Sequence, residues 1–252
     1  MKKKYFVVFC IGIAIALVIY CVFFSWFFGS PNAPSWTSVI VTFLAVIVAL
    51  FNETIKNLIF CPELRVIINT AKPNCVKTKI SWLENNNRVE FDCYYLRIWV
   101  ENFGRARAKD VEVFLSKILI KNGEGKYVEV DSFSPMNLKW SYNNESCLDG
   151  ISPGIGRHCD LAHVIDPKYR SNLSPLNGLQ NHPKDKTILE LDLVFPLNTN
   201  DHLLFGVDYM LEIKISSSNA KIVCNKIKIT HTGKWNIDKE KMFPECVSVM
   251  NV

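Results

Sequence analysis

The densest run of residues able to do chemistry is Arg157-His-Cys-Asp-Leu-Ala-His163, with Cys147 upstream of it. Thiolates and imidazoles build metal sites and nucleophilic centres, so a metal or hydrolytic centre on His158, Cys159 or His163 is the first chemistry to weigh. The backbone decides it. On a helix, Cys159 and His163 stand one turn apart and can chelate one ion. On a strand they share a face but lie about 13 Å apart at roughly 3.3 Å per residue, too far for a single ion. A Pro-Gly turn precedes the run and its surroundings read as β, so the strand prevails. Cys159 and Leu161 are then expected in the core, with His158 and Asp160 solvated. Neither Cys-x-x-Cys nor His-x-x-x-His occurs, and no metal or cofactor is assigned.

Three further groups could bind. Gly154-Ile-Gly156-Arg157 can cradle a small anion with backbone amides and a guanidinium. Leu138-Lys-Trp140-Ser-Tyr142 offers aromatic rings for a stacked ligand. Arg105, Arg107 and Lys109 form a basic knuckle suited to anionic lipid headgroups. No Gly-x-Ser-x-Gly, Walker loop or metalloprotease helix is present, and no catalytic residue is assigned.

The elements that must position these groups are strands. Tyr94, Leu96, Ile98 and Val100 alternate with Tyr95, Arg97, Trp99 and Glu101. Val111, Val113 and Leu115 alternate with Glu112, Phe114 and Ser116. Leu189, Leu191, Leu193 and Phe195 share one face, and Val207 to Ile215 repeats the pattern. Period-2 alternation marks half-buried strands. Weaker strands are predicted at 63–69, 78–82, 126–130, 138–141, 157–165 and 221–230. Ser217-Ser-Asn219 is short enough to close an antiparallel hairpin. Residues 166–186 read as the longest loop, and the pattern of 234–252 leaves a short helix or a packed tail open. About ten strands in one unit, residues 61–252, predict an all-β sandwich.

The first 60 residues differ. No charge occurs from Tyr5 to Asn52, 48 positions, while all 24 acids and 26 of the 29 Lys and Arg lie from Glu53 onward. Helices at about 5–28 and 36–55, joined by Gly29-Ser-Pro-Asn-Ala-Pro-Ser35, predict a transmembrane hairpin at 1–60 in contact with the lipid bilayer. Gly12 with Ala16 and Ala45 with Ala49 are small-xxx-small pairs that suit close helix packing and a homo-oligomer. Lys2, Lys3 and Lys4 before the pair and Lys56 after it place both termini in the cytoplasm of a multi-pass inner-membrane protein. The seven cysteines beyond the hairpin are odd in number and unevenly spaced, unlike a disulfide scaffold. The later 200 residues carry a net charge of only +2, from those 26 bases and 24 acids, with no basic tract, which argues against nucleic acid as a partner.

Val100-Glu-Asn-Phe-Gly-Arg-Ala-Arg-Ala-Lys-Asp-Val111 resembles the strand–turn–strand signature of immunoglobulin-like bacterial modules such as the cell-adhesion-related domain, at Asn102, Gly104, Ala108 and Val111. With the two helices and Pro153-Gly-Ile-Gly-Arg-His-Cys-Asp160, the chain also resembles uncharacterised prokaryotic membrane-anchored proteins. The resemblance implies an immunoglobulin-like sandwich. The expected function is a non-enzymatic scaffold presenting that sandwich to a protein partner or the membrane surface. The alternative is an antiphage-type sensor–effector, similar in layout, whose β-domain binds a nucleotide-like anionic ligand while the hairpin perturbs the membrane.

Overall fold

In the computed structural model, the described residues are 60–84, 87–172, 182–195 and 197–252, with isolated helical positions between 12 and 49. The chain divides into two compact units, Met1–Cys61 and Pro62–Val252.

In the second unit the alternating segments become two antiparallel sheets of seven strands each. The first sheet has the order β1 (Leu64–Ile67), β3 (Asn87–Asn102), β9 (Gly156–Ile165), β10 (Leu189–Leu191) and β11 (Leu203–Leu204). In it β2 (Cys75–Glu84) also pairs with β3, and β7 (Lys139–Trp140) with β9. The second sheet runs β14 (Val247–Asn251), β13 (Val223–His231), β12 (Asp208–Ser216), β4 (Ala108–Lys121) and β5 (Tyr127–Glu129). There β6 (Met136–Asn137) and β8 (Cys147–Ile151) lie beside β4. Leu96, Ile98 and Val100 of β3, Val113 and Leu115 of β4, and Leu211, Ile213 and Ile215 of β12 belong to one buried cluster. The period-2 pattern thus does what its physics requires, burying alternate side chains. Val207, which precedes β12 and is exposed, and Phe195 are exceptions. The strand before Phe195 ends at Leu191, and the Phe195 ring is 67% exposed.

The hairpin at Ser217–Asn219 forms as expected, joining β12 to β13. The C-terminal segment resolves into a one-turn helix α1 (Lys239–Lys241), a π turn (Met242–Cys246) and the edge strand β14. The loop after β9 begins with a 3-10 helix (Pro167–Asn172), whose Tyr169 stacks on Phe91 at 5.6 Å; residues 173–181 of that loop lie outside the described residues.

Asn102, with no exposed surface, fastens four segments together. Its Oδ1 accepts the N–H of Glu63 (3.1 Å) and of Gly104 (2.9 Å). Its Nδ2 donates to the carbonyls of Ala106 (2.7 Å) and Ile151 (2.9 Å). All four hydrogen-bonding positions of a buried amide are filled. Beside it, Gly150 is needed for close approach, since a Cβ there would sit 2.3 Å from the carbonyl oxygen of Ala108.

The membrane expectation is overturned. Among the described residues no helix is long and apolar enough to cross a membrane. A crossing takes about 20 helical residues, and the described helices of the second unit have six, three and five. The multi-pass assignment to the inner membrane with both termini cytoplasmic is corrected accordingly. Most of residues 1–60, on which the hairpin was placed, lie outside the described residues. Gly12, Ala45 and Ala49 fall at helical positions, and Ala16 is not described.

Replacing Asn102 by Ala strands two backbone amides and two carbonyls. The expected loss is about 3–4 kcal/mol, from roughly 1–3 kcal/mol per buried group left unpaired with partial relaxation. Urea denaturation measures it as a lower midpoint at unchanged slope; a loss below about 1 kcal/mol contradicts the four-bond account.

Candidate functional site

The side chains of greatest chemical interest gather on the outer face of the first sheet, and a β-bulge puts them there. In the β3–β9 register Leu96 faces Ala162, whereas Arg97 faces Asp160. Leu161 is the extra residue, and it is fully buried. An inserted residue reverses the alternation beyond it. Cys159 therefore pairs with Ile98 on the core side, while His163 pairs with Tyr95 on the outer side. The expected shared face of Cys159 and His163 does not form. Cys159 is buried, with its thiol donating to the Lys139 carbonyl at 3.3 Å, and burial pushes its pKa well up. Asp160, expected in solvent, is buried as well.

Three cross-strand pairs build the outer face: Tyr95 with His163, Arg97 with Asp160, and Trp99 with His158. Arg97 Nε donates to Asp160 Oδ1 at 2.8 Å, with side-chain exposures of only 13% and 10%. The Ser141 hydroxyl donates to the same oxygen. Burial raises the Asp160 pKa, partly offset by Ser141 and Arg97. The Arg97 guanidinium lies 5.2 Å from the rings of both Tyr95 and Tyr142, a cation–π arrangement on two rings. Tyr142 is 85% exposed and holds φ at 78°, a backbone conformation that costs a non-glycine residue energy.

Trp99 lies 4.6 Å from the His158 ring and donates its indole N–H to Glu101 at 2.9 Å. Gly156 is its seat, because a Cβ at that position would fall 2.2 Å from the indole. His158 Nε2 shares a hydrogen bond with Asn74 Oδ1 at 3.2 Å. Burial, then Arg97, lowers the His158 pKa. Asn74 Nδ2 is buried without a partner among the described residues.

Next to this, His163 Nδ1 lies 3.0 Å from Asp192 Oδ1 and Nε2 lies 3.6 Å from Glu190. Burial alone would lower its pKa, but Asp192 and Glu190 outweigh that and hold it up at about 9. One ring nitrogen faces each carboxylate, so His163 links β9 to Glu190 and Asp192. Among the described residues no group of three or more His, Cys, Asp or Glu is arranged to hold a metal ion.

The other sequence-derived candidates do not converge. Trp140 is interior, 1% exposed, its indole donating to the Val111 carbonyl at 3.2 Å. Arg157 is exposed on β9 opposite Val100. In the turn before it, Gly154 (φ 69°) donates its N–H to the Asn102 carbonyl and Ile155 donates to Ser152, so these two amides are committed within the turn. Arg105, Arg107 and Lys109 are exposed at the β3–β4 turn, where Asn219 accepts from Lys109 N–H and donates to the Arg107 carbonyl. The residue that sequence reasoning undervalued is Tyr142. Its signal was its place in the aromatic segment 138–142, two residues from Trp140 and so on the same expected face, until the positive φ turned it out.

No protein-family model matches the chain, and no curated protein matches it.

Two histidines give stability opposite pH dependences. The raised His163 stabilises fully below its ordinary value of 6.5, and that contribution is lost as pH rises to about 9. Burial lowers His231 to about 4, so its contribution, present above 6.5, is lost as pH falls from 6.5 to about 4. Each limb is on the order of 3 kcal/mol at about 1.4 kcal/mol per pKa unit. Melting temperature against pH should peak near neutrality, and His163→Gln should flatten the alkaline limb alone. An unchanged alkaline limb in that variant contradicts the assignment.

Proposed function

We propose that the β-rich unit is a non-enzymatic binding module that recognises a protein partner through the outer face of its first sheet, centred on Tyr142, Arg97 and Trp99. The observation that carries this is Tyr142, 85% exposed in a costly backbone conformation with its ring over an anchored guanidinium. A large apolar ring held out to water at an energetic cost is a feature of recognition surfaces, and Tyr, Trp and Arg are the residues that dominate interface energetics. The unpartnered Asn74 amide adds a buried donor beside Arg97, whose own N–H donates to the Asn74 carbonyl at 2.8 Å.

The same geometry speaks against acid–base chemistry at this face. Asp160 is held by Arg97 and Ser141, and His163 by Asp192 and Glu190. These ion pairs make the surface rigid, which suits binding with little ordering cost. The immunoglobulin-like class enters the reading on the support of Asn102, whose side chain bonds Gly104 within the turn that carries the resemblance.

Full-length protein with a crosslinking group near Tyr142, incubated with its native extract, should capture a specific protein. Tyr142→Ala and Trp99→Ala should each reduce the capture at least tenfold, the usual scale of a hot-spot truncation, while Tyr142→Ala leaves the melting temperature unchanged. Equal capture by wild type and both variants contradicts this reading. A nucleotide that raises the melting temperature, with the rise abolished by Arg157→Ala, would put the small-ligand alternative in its place.

A further inference from the structure

We propose that a cavity at one end of the two sheets is a binding site for an apolar ammonium group. The cavity measures about 310 Å³ and lies between β4 and β12 of the second sheet and β11 of the first. Part of its wall is aliphatic, from Ile118, Ile120, Val130 and Leu204. Thr199, Asn200, Asp201 and Tyr209 bring polar groups to its lining, and Asp201 and Tyr209 set the chemistry.

Asp201 Oδ1 accepts the Ser132 hydroxyl at 3.1 Å, whereas Oδ2 is buried and accepts no hydrogen bond among the described residues. No basic side chain among the described residues pairs with this carboxylate. A carboxylate oxygen kept from water and left without a donor is costly, and a cation with N–H groups is what relieves it. The buried Tyr209 hydroxyl accepts the Phe205 N–H at 2.9 Å, which leaves its oxygen a second lone pair for another N–H. The aliphatic part of the wall calls for methylenes. The volume holds about ten non-hydrogen atoms, at roughly 30 Å³ for each water-sized group. An alkylammonium of some six carbons satisfies the carboxylate, the hydroxyl and the aliphatic wall at once, and so does a lysine side chain, with its four methylenes and terminal ammonium. An anion is repelled by Asp201, and a neutral alcohol can donate one hydrogen bond to it but leaves its charge unneutralised.

Calorimetric titration of the full-length protein with n-hexylammonium, 1-hexanol, hexanoate and Nα-acetyl-lysine N-methylamide tests this. Hexylammonium should saturate a single site, hexanol should bind at least tenfold more weakly, and hexanoate should not bind. Asp201→Asn should weaken hexylammonium about tenfold, the worth of one charge-assisted hydrogen bond, and leave hexanol unchanged. Val130→Trp, which fills the cavity from its wall, should abolish binding of both while circular dichroism shows the fold retained. No saturable binding of hexylammonium, or equal binding by the Asp201→Asn variant, overturns the proposal. Tighter binding of the lysine amide assigns the natural ammonium to a peptide side chain; tighter binding of hexylammonium assigns it to a free amine; either upholds the site. Tyr142→Ala leaves this binding intact, so failure here and failure of the proposed recognition face are distinguishable.

Discussion

The β-rich unit depends on one buried amide. Asn102 ends β3, and its side chain reaches the segment before β1, the β3–β4 turn and β8. Those contacts fix where the chain leaves the first sheet and where it enters the second. The backbone of the same residue closes the β8–β9 turn, accepting from Gly154 and donating to Ile155. A core of aliphatic side chains tolerates sliding, since it is non-directional; a residue with four filled hydrogen bonds does not. The relative register of the two sheets is therefore set by polar geometry at one end, and the apolar interior fills in behind it. The face bearing Tyr95, Arg97 and Trp99 inherits its position from this arrangement, because those residues precede Asn102 on the same strand.

Much of the sheet structure was legible because alternation is a direct physical signal. β3 from Tyr94 to Val100, β12 and the inner half of β4 follow the pattern residue by residue, and Asn102 stood out by its place ahead of a glycine and a small alanine. Four strands were not legible: β6 and β11, of two residues each, and β8 and β14. β8 reads Cys-Leu-Asp-Gly-Ile, with Asp149 and Gly150 both favouring a turn; it is a strand because Gly150 lets the Ala108 carbonyl come close. β14 is five residues long, follows an irregular turn and pairs only with β13, so tertiary contact and not local pattern defines it.

The candidate face was half visible. Tyr95, Arg97 and Trp99 were legible as the outward side of β3. Their partners on β9 were not, because alternation carries no mark of the position at which an extra residue enters. Cys159, Asp160, Leu161 and Ala162 are all buried, a run in which the two-residue period disappears. The outward turn of Tyr142 was illegible for a different reason. Positive φ at a tyrosine follows from the surrounding chain and from no preference of the residue itself.

Leu161 has a consequence for how this chain can change over time. Because a single supernumerary position sets the phase of half a strand, insertions and deletions in β9 are not equivalent to substitutions there. Loss of Leu161 itself would close the bulge and leave each flanking residue opposite its present partner on β3. A residue gained or lost within either flank would instead put that part of β9 one position out of phase and exchange its inside for its outside. Substitutions can drift on both flanks; a change of length is tolerated only where the supernumerary residue already stands.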